Sequence, residues 1–218
     1  MSIRKSTQKQ QDDIVARQYN GWARIYDLFW RRYVNQTIPV LKRAACVRPD
    51  ERILDLASGT GAFEHRVAAE ISDVELVGID LAPSMVERAR AKLDGASNVR
   101  FEQADAHDLP FDESSFDAVV CANSFHYFSH PQQVLAEARR VLRSDGRLVL
   151  LDWCRDYWTC KGMDAVLQRV DPAYDTCYTI DELTTLLERA GLRTQYMFRY
   201  RFDLVWGMMV ATAIPSAA

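Results

Sequence analysis

From Glu51 onward the chain alternates short apolar runs with longer stretches in which apolar and polar positions interleave. Short apolar runs read as strands buried on both faces and the longer ones as amphipathic helices, so their alternation predicts a parallel sheet flanked by helices. Strands are expected near Arg52–Leu56, Glu75–Ile79, Val99–Gln103, Asp117–Cys121 and Arg147–Asp152, with helices near Phe63–Glu70, Ser84–Leu93 and Pro131–Leu142. Pro83 and Pro131 suit first helical turns, where a missing N–H costs nothing, and Ser144-Asp145-Gly146 closes the later helix. Thr179, with Glu182 three positions on, forms a capping box for a helix near Ile180–Ala190, which Gly191 ends. Two last strands follow near Arg193–Tyr200 and Gly207–Ala213.

Ahead of the sheet, Asp12 to Cys46 reads as helical, with Tyr19, Trp22, Tyr26, Phe29, Trp30 and Tyr33 recurring mostly at three- and four-residue steps on one core-facing stripe. The expected organisation is an N-terminal helical cap, residues 1–46, and a domain, residues 47–218, with an aromatic insertion at 154–178. A length of 218 residues at 48% hydrophobic composition supports one substantial core. The balance of 27 basic and 30 acidic residues leaves a net charge of −3, without the basic footprint of a nucleic-acid partner. Met1 to Asp13 is polar and lacks a secretory apolar run, and the longest apolar stretches, Ala118–Ala122 and Leu148–Leu151, are too short to cross a bilayer. A cytoplasmic chain is expected. Its five scattered cysteines include no C-x-x-C pair, so reduced thiols and no metal are expected.

The candidate chemistry begins at Asp55-Leu56-Ala57-Ser58-Gly59-Thr60-Gly61, between a predicted strand and a predicted helix, where small residues let the backbone turn sharply and approach a ligand. Asp80, at the tip of the second strand, can accept hydrogen bonds from both hydroxyls of a ribose, which implies adenosine. After the third strand, in Ala104-Asp105-Ala106-His107-Asp108-Leu109-Pro110-Phe111, Asp105 can accept from an exocyclic adenine amine while apolar neighbours sandwich the ring.

Together with Phe116-Asp117-Ala118-Val119-Val120, these motifs resemble class I S-adenosylmethionine-dependent methyltransferases (methyltransferase type 11), especially the quinone-biosynthesis branch, over roughly Glu51 to Asp152. The resemblance implies an α/β fold: a Rossmann-like three-layer sandwich with a seven-stranded, mostly parallel sheet and an antiparallel last strand. It implies S-adenosylmethionine as cofactor and S-adenosylhomocysteine as product. By position, Asp55 and Gly59 would flank the methionine part, Asp80 the ribose, Met85 the adenine face, and Asp105 with Ala106 the adenine edge. Ala57, Ser58, Gly61 and Leu81 would complete the contacts, Asn123 would face the methionine end, and Tyr19 and Tyr26 would fold over the donor. Ala57 stands where the family usually has a glycine, and its methyl is expected to intrude and to resist positive φ. No Asp/Asn-Pro-Pro-Tyr motif follows the fourth strand, which argues against methylation of adenine or glutamine amino groups.

Methyl transfer from a sulfonium is an in-line displacement, so catalysis can come largely from holding the acceptor behind the methyl and excluding water. A hydroxyl or amine acceptor would be helped by a base, for which His126 is best placed and Asp152, Asp156 and Tyr157 are weaker candidates. Trp153, Tyr157, Trp158, Tyr174 and Tyr178 favour an apolar or aromatic small-molecule acceptor, such as a quinone precursor or a lipid headgroup. Two alternatives stay open. One is a nucleotide-cofactor oxidoreductase on a related sheet, which Glu64 disfavours by standing where a third glycine belongs; the other is a donor-binding protein without turnover.

Overall fold

The computed structural model describes residues 13, 14, 17 and 30–216. Seven strands form one sheet: β1 (Arg52–Leu56), β2 (Glu75–Asp80), β3 (Val99–Gln103), β4 (Phe116–Ala122), β5 (Leu142–Trp153), β6 (Leu192–Arg201) and β7 (Gly207–Pro215). Their spatial order is β3-β2-β1-β4-β5-β7-β6. β1 to β5 pair in parallel, and β7 lies antiparallel to both β5 and β6, which is the expected Rossmann-like sheet. The chain steps outward from β1 to β3 and then returns to the other side of β1, so the strand order reverses between β1 and β4. Ligands of such sheets bind at that reversal, beyond the carboxyl ends of the strands.

Helices cover both faces: α1 (30–45), α2 (Ala62–Ala68), α3 (Pro83–Lys92), α4 (Pro131–Val141), α5 (Trp158–Val170) and α6 (Ile180–Arg189). Alternation along β1 sends Leu54 and Leu56 to a core completed by Val134, Leu135 and Ala138 of α4 and Leu183 and Leu187 of α6. Ile53 turns to the opposite core, with Tyr33 and Leu41 of α1, Phe63 and Val67 of α2 and Cys160 of α5. The Thr179 capping box is present: its side chain accepts from Glu182 N while the Glu182 side chain accepts from Thr179 N. No helix among the described residues is long and apolar enough to cross a membrane.

Two local expectations change. Ser144-Asp145-Gly146 does not end a helix with a free turn, because β5 begins at Leu142 directly after α4. Phe116 pairs with Leu142 but Ala118 with Arg147, so the intervening residues form a bulge, and Gly146 packs against the Asp117 carbonyl with no room for a Cβ beyond 3.0 Å. The insertion carries α5, whose apolar period is masked because Trp158, Val166 and Val170 are exposed.

Candidate functional site

The loop after β1 folds through three left-handed residues, Ala57 (φ 57°), Gly59 (φ 56°) and Gly61 (φ 74°). Ser58 N donates to the Ile79 carbonyl at 2.8 Å and Gly61 N to the Ser58 carbonyl at 3.0 Å, which closes the turn onto α2. The two glycines serve different ends. A Cβ on Gly59 would project into open space, where the loop leaves room for a ligand, whereas one on Gly61 would meet the Phe101 ring at 2.7 Å. Ala57 does adopt positive φ, contrary to the expected resistance, at a cost of about 1–2 kcal/mol for a residue with a Cβ.

Asp80 ends β2 beside this loop. Its Oδ2 accepts from Gly59 N and its Oδ1 from Ala82 N, both at 2.9 Å. Burial pushes the carboxyl up to about 6, although these N–H donors favour the charged form. With the Leu81 N–H as a third backbone donor, the two oxygens still have acceptor capacity for a ligand.

Asp105 follows β3. Its Oδ1 accepts from the backbone N of His107 at 2.8 Å and is 2.7 Å from His107 Nδ1. Burial raises this carboxyl, but the two His107 donors outweigh it and the net shift is downward. The segment is pinned to α4. Gln133 donates to the His107 carbonyl at 2.7 Å, Glu137 accepts from Leu109 N at 2.9 Å, and Arg140 donates to the carbonyls of Leu109 and Phe111 at 2.9 and 2.7 Å.

These elements border one cavity, partly open to solvent. Ala57, Gly59, Asp80, Leu81, Met85, Asp105 and Ala106 line it, joined by Ile79, Ala104, His107, Ser124, Tyr127 and Phe128. Two carboxylates set in an otherwise apolar and aromatic wall suit a nucleoside, with hydroxyl and amine donors to satisfy and a flat ring to cover. The residues therefore fit the adenosyl part of a donor.

Other predicted contacts lie elsewhere. Asp55 is buried behind the loop against Glu64, Ser58 Oγ is buried with no partner, and Gly61 sits over Phe101; none lines the cavity. Asn123 turns its amide to α1 instead: its Oδ1 accepts from Tyr33 Oη at 2.7 Å and its Nδ2 donates to Thr37 Oγ1 at 3.1 Å. Trp153 Nε1 also donates to Tyr33 Oη, at 2.7 Å. Tyr19 and Tyr26 lie outside the described residues.

The candidate bases also sit off the cavity wall. His126 is 2% exposed, with Nδ1 2.6 Å from Asp152 Oδ1, its backbone N donating to Asp152 Oδ2, and its ring stacked on Trp153 at 4.4 Å. Its neighbours Tyr127 and Phe128 reach the cavity, because the short helical turn at Phe125–Tyr127 rotates His126 into the core. Tyr157 packs against Gly207, with the guanidinium groups of Arg199 and Arg201 over its ring at 5.5 and 5.3 Å. Burial pushes the Cys154 thiol up to about 12 and raises those of Cys160 and Cys177. The described residues contain no cluster of ligands for a metal.

Sequence reasoning passed over His107 and Glu64. The first had a signal, a ring two residues after Asp105 in a tight turn. The second had none, because a glutamate in a first helical turn ordinarily faces water.

The profile of a family described as "Methyltransferase domain" matches residues 48–191. The demethylmenaquinone methyltransferase of Deinococcus radiodurans is 44% identical over 110 residues, 50% of this chain and 46% of that protein. The enzyme of the same name from Thermotoga maritima is 39% identical over 145 residues, 64% of this chain and 58% of that one. The alignments thus span about half the length of these relatives. Among solved structures, the YcgJ protein of Bacillus subtilis superposes with a TM-score of 0.72 at 20% identity, covering 84% of this chain and 100% of the other, a likeness of fold.

Proposed function

Since the chain belongs to the methyltransferase domain family, within the class I S-adenosylmethionine-dependent enzymes akin to those of quinone biosynthesis, we propose that it methylates a small apolar or aromatic acceptor of quinone-precursor type. The observation that carries this reading is the single cavity that brings Gly59, Asp80 and Asp105 around the apolar surface of Leu81, Met85 and Phe128. Asp80 holds the ribose hydroxyls on its remaining lone pairs, Asp105 takes the adenine amine, and Met85 covers the ring. The donor supplies a sulfonium methyl open to in-line displacement. Tyr127 and Phe128 exclude water and offer a flat wall to an aromatic acceptor, consistent with the demethylmenaquinone named for the relatives. The His126–Asp152 pair acts through these neighbours, holding the turn that presents them, rather than as a base.

Calorimetric titration with S-adenosylmethionine, S-adenosylhomocysteine and NAD tests the donor, and incubation with methyl-labelled donor and a demethylated quinone, or a metabolite extract, tests transfer. Binding of both sulfur ligands and label in an apolar product are expected. NAD bound tightly with neither sulfur ligand bound would overturn the reading, and donor binding with no label in any compound would reduce it to a donor-binding protein.

A further inference from the structure

We propose that His107 is a positioning residue that gives the site its preference for a 6-amino purine, by fixing Asp105 with one carboxylate oxygen occupied and the other turned to the ligand. The inference rests on the reading of the cavity as an adenosyl site.

His107 occupies Oδ1 of Asp105 twice, through its backbone N at 2.8 Å and through Nδ1 at 2.7 Å. The His107 side chain is 3% exposed while that of Asp105 is 34% exposed, and both line the cavity. The free lone pairs of the carboxylate therefore belong to Oδ2.

The ring's own surroundings fix where its proton lies. Nε2 is buried without a partner, Phe128 stands edge-on to the ring at 5.8 Å, and His130 does so at 6.1 Å. A proton on Nε2 would be a buried donor with no acceptor, and would also leave the Nδ1 lone pair facing Oδ1 at 2.7 Å. With the proton on Nδ1 the ring donates to Asp105, the clash of lone pairs is removed, and Nε2 keeps a buried lone pair in place of a buried N–H. Gln133, donating to the His107 carbonyl at 2.7 Å, keeps the residue from swinging away.

A carboxylate held this way is an acceptor only. It receives the N–H of a 6-amino purine and repels the carbonyl oxygen of a 6-oxo purine at the same place, because two acceptors facing each other share no proton. A carboxylate that loses the Nδ1 donor keeps only the backbone N–H of residue 107 and turns more freely about it, so the discrimination weakens although the charge is still present.

The test measures affinity for S-adenosylhomocysteine and for its deaminated hypoxanthine counterpart in the wild type and in His107→Phe, His107→Leu and His107→Asn, each checked for a cooperative thermal transition. Phenylalanine keeps the ring and loses the donor. Leucine removes the donor with a smaller apolar side chain if the phenylalanine variant does not fold, and asparagine restores an N–H near the Nδ1 position. The wild type should prefer the adenine ligand by about a hundredfold, the donorless variants by about tenfold or less, and the asparagine variant should recover most of the difference, since each tenfold step is about 1.4 kcal/mol. A donorless variant with the full preference, or a wild type that binds both ligands equally, would overturn the role of His107. A wild type that binds neither would bring down the adenosyl reading itself and this inference with it.

Discussion

Glu64 lies against Asp55 beneath the glycine loop, two carboxyl groups of 0% and 4% exposure placed side by side. No donor from the rest of the described residues reaches Glu64 Oε1, Glu64 Oε2 or Asp55 Oδ1, so a shared proton is what lets the pair coexist. Burial, followed by the charge of Glu64, raises Asp55, and burial pushes Glu64 up to about 8.

Those shifts set the sign of a pH dependence. A carboxyl whose folded value is raised contributes stability that is complete below its ordinary value of 4.5 and is lost as pH rises toward about 8. Glu64→Gln keeps a hydrogen-bonding amide against Asp55 and removes this titration. The variant should show a flatter profile of melting temperature between about pH 5 and pH 9, and near pH 8 should exceed the wild type by a few kcal/mol. Thermal scans across that range check it; parallel profiles for the two proteins would show that Glu64 is not the group that titrates there.

Asp80 gives an opposite trend in a different quantity. Burial pushes it up to about 6, so its charge is lost as pH falls through that value, and with it the strongest acceptor for a ribose. Affinity for S-adenosylhomocysteine should decline from pH 7 to pH 5 in the wild type. Asp80→Ala should bind about 1–3 kcal/mol more weakly at pH 7 and lose most of the decline, by calorimetry. Affinity unmoved by the substitution would detach Asp80 from the ligand.

Ala57 pays for its left-handed backbone at φ 57°. Ala57→Gly should relieve about 1 kcal/mol of strain, which in a chain of this size raises the melting temperature by about 2–4 °C. It also takes a methyl off the cavity wall, so donor affinity should hold or rise. A lower melting temperature would mean that the added freedom of the unfolded glycine outweighs the strain.

What the sequence made legible follows from where backbone geometry leaves little choice. Asp80 and Asp105 were readable because one ends the apolar strand Glu75–Asp80 and the other follows the alternating strand Val99–Gln103, and parallel strands bring those ends to one edge of the sheet. His126 was not, because a single short helical turn decides which of four adjacent rings faces the cavity, and no period extends over so few residues. Asn123 was placed correctly along the chain, yet its amide is claimed by Tyr33 and Thr37, contacts about ninety residues away that local pattern does not carry. Glu64 was hidden for a related reason: the charged face of an amphipathic helix is assumed to meet water, and only the packing of α2 over β1 shows that it does not.

Tyr33 ties α1 to the ends of β4 and β5, since its hydroxyl donates to Asn123 and accepts from Trp153. Tyr33→Phe should leave a buried amide oxygen and an indole N–H without their partner and cost about 1–3 kcal/mol in denaturant unfolding. Donor affinity should change by less than in Asp80→Ala, because Tyr33 is absent from the cavity wall. A variant as stable as the wild type would show that solvent replaces the hydroxyl.

β7 enters the sheet between β5 and β6, buried along nearly its whole length, although it follows both in the chain. During synthesis, therefore, β5 emerges with an apolar rim unpaired until β7 arrives, and β6 has no seat until then. The first five strands and the crevice they form can assemble while the ribosome is still at work, but their exposed rim invites association with other chains. Substitutions that weaken β7 should lower the yield of soluble protein more than their effect on the finished molecule implies.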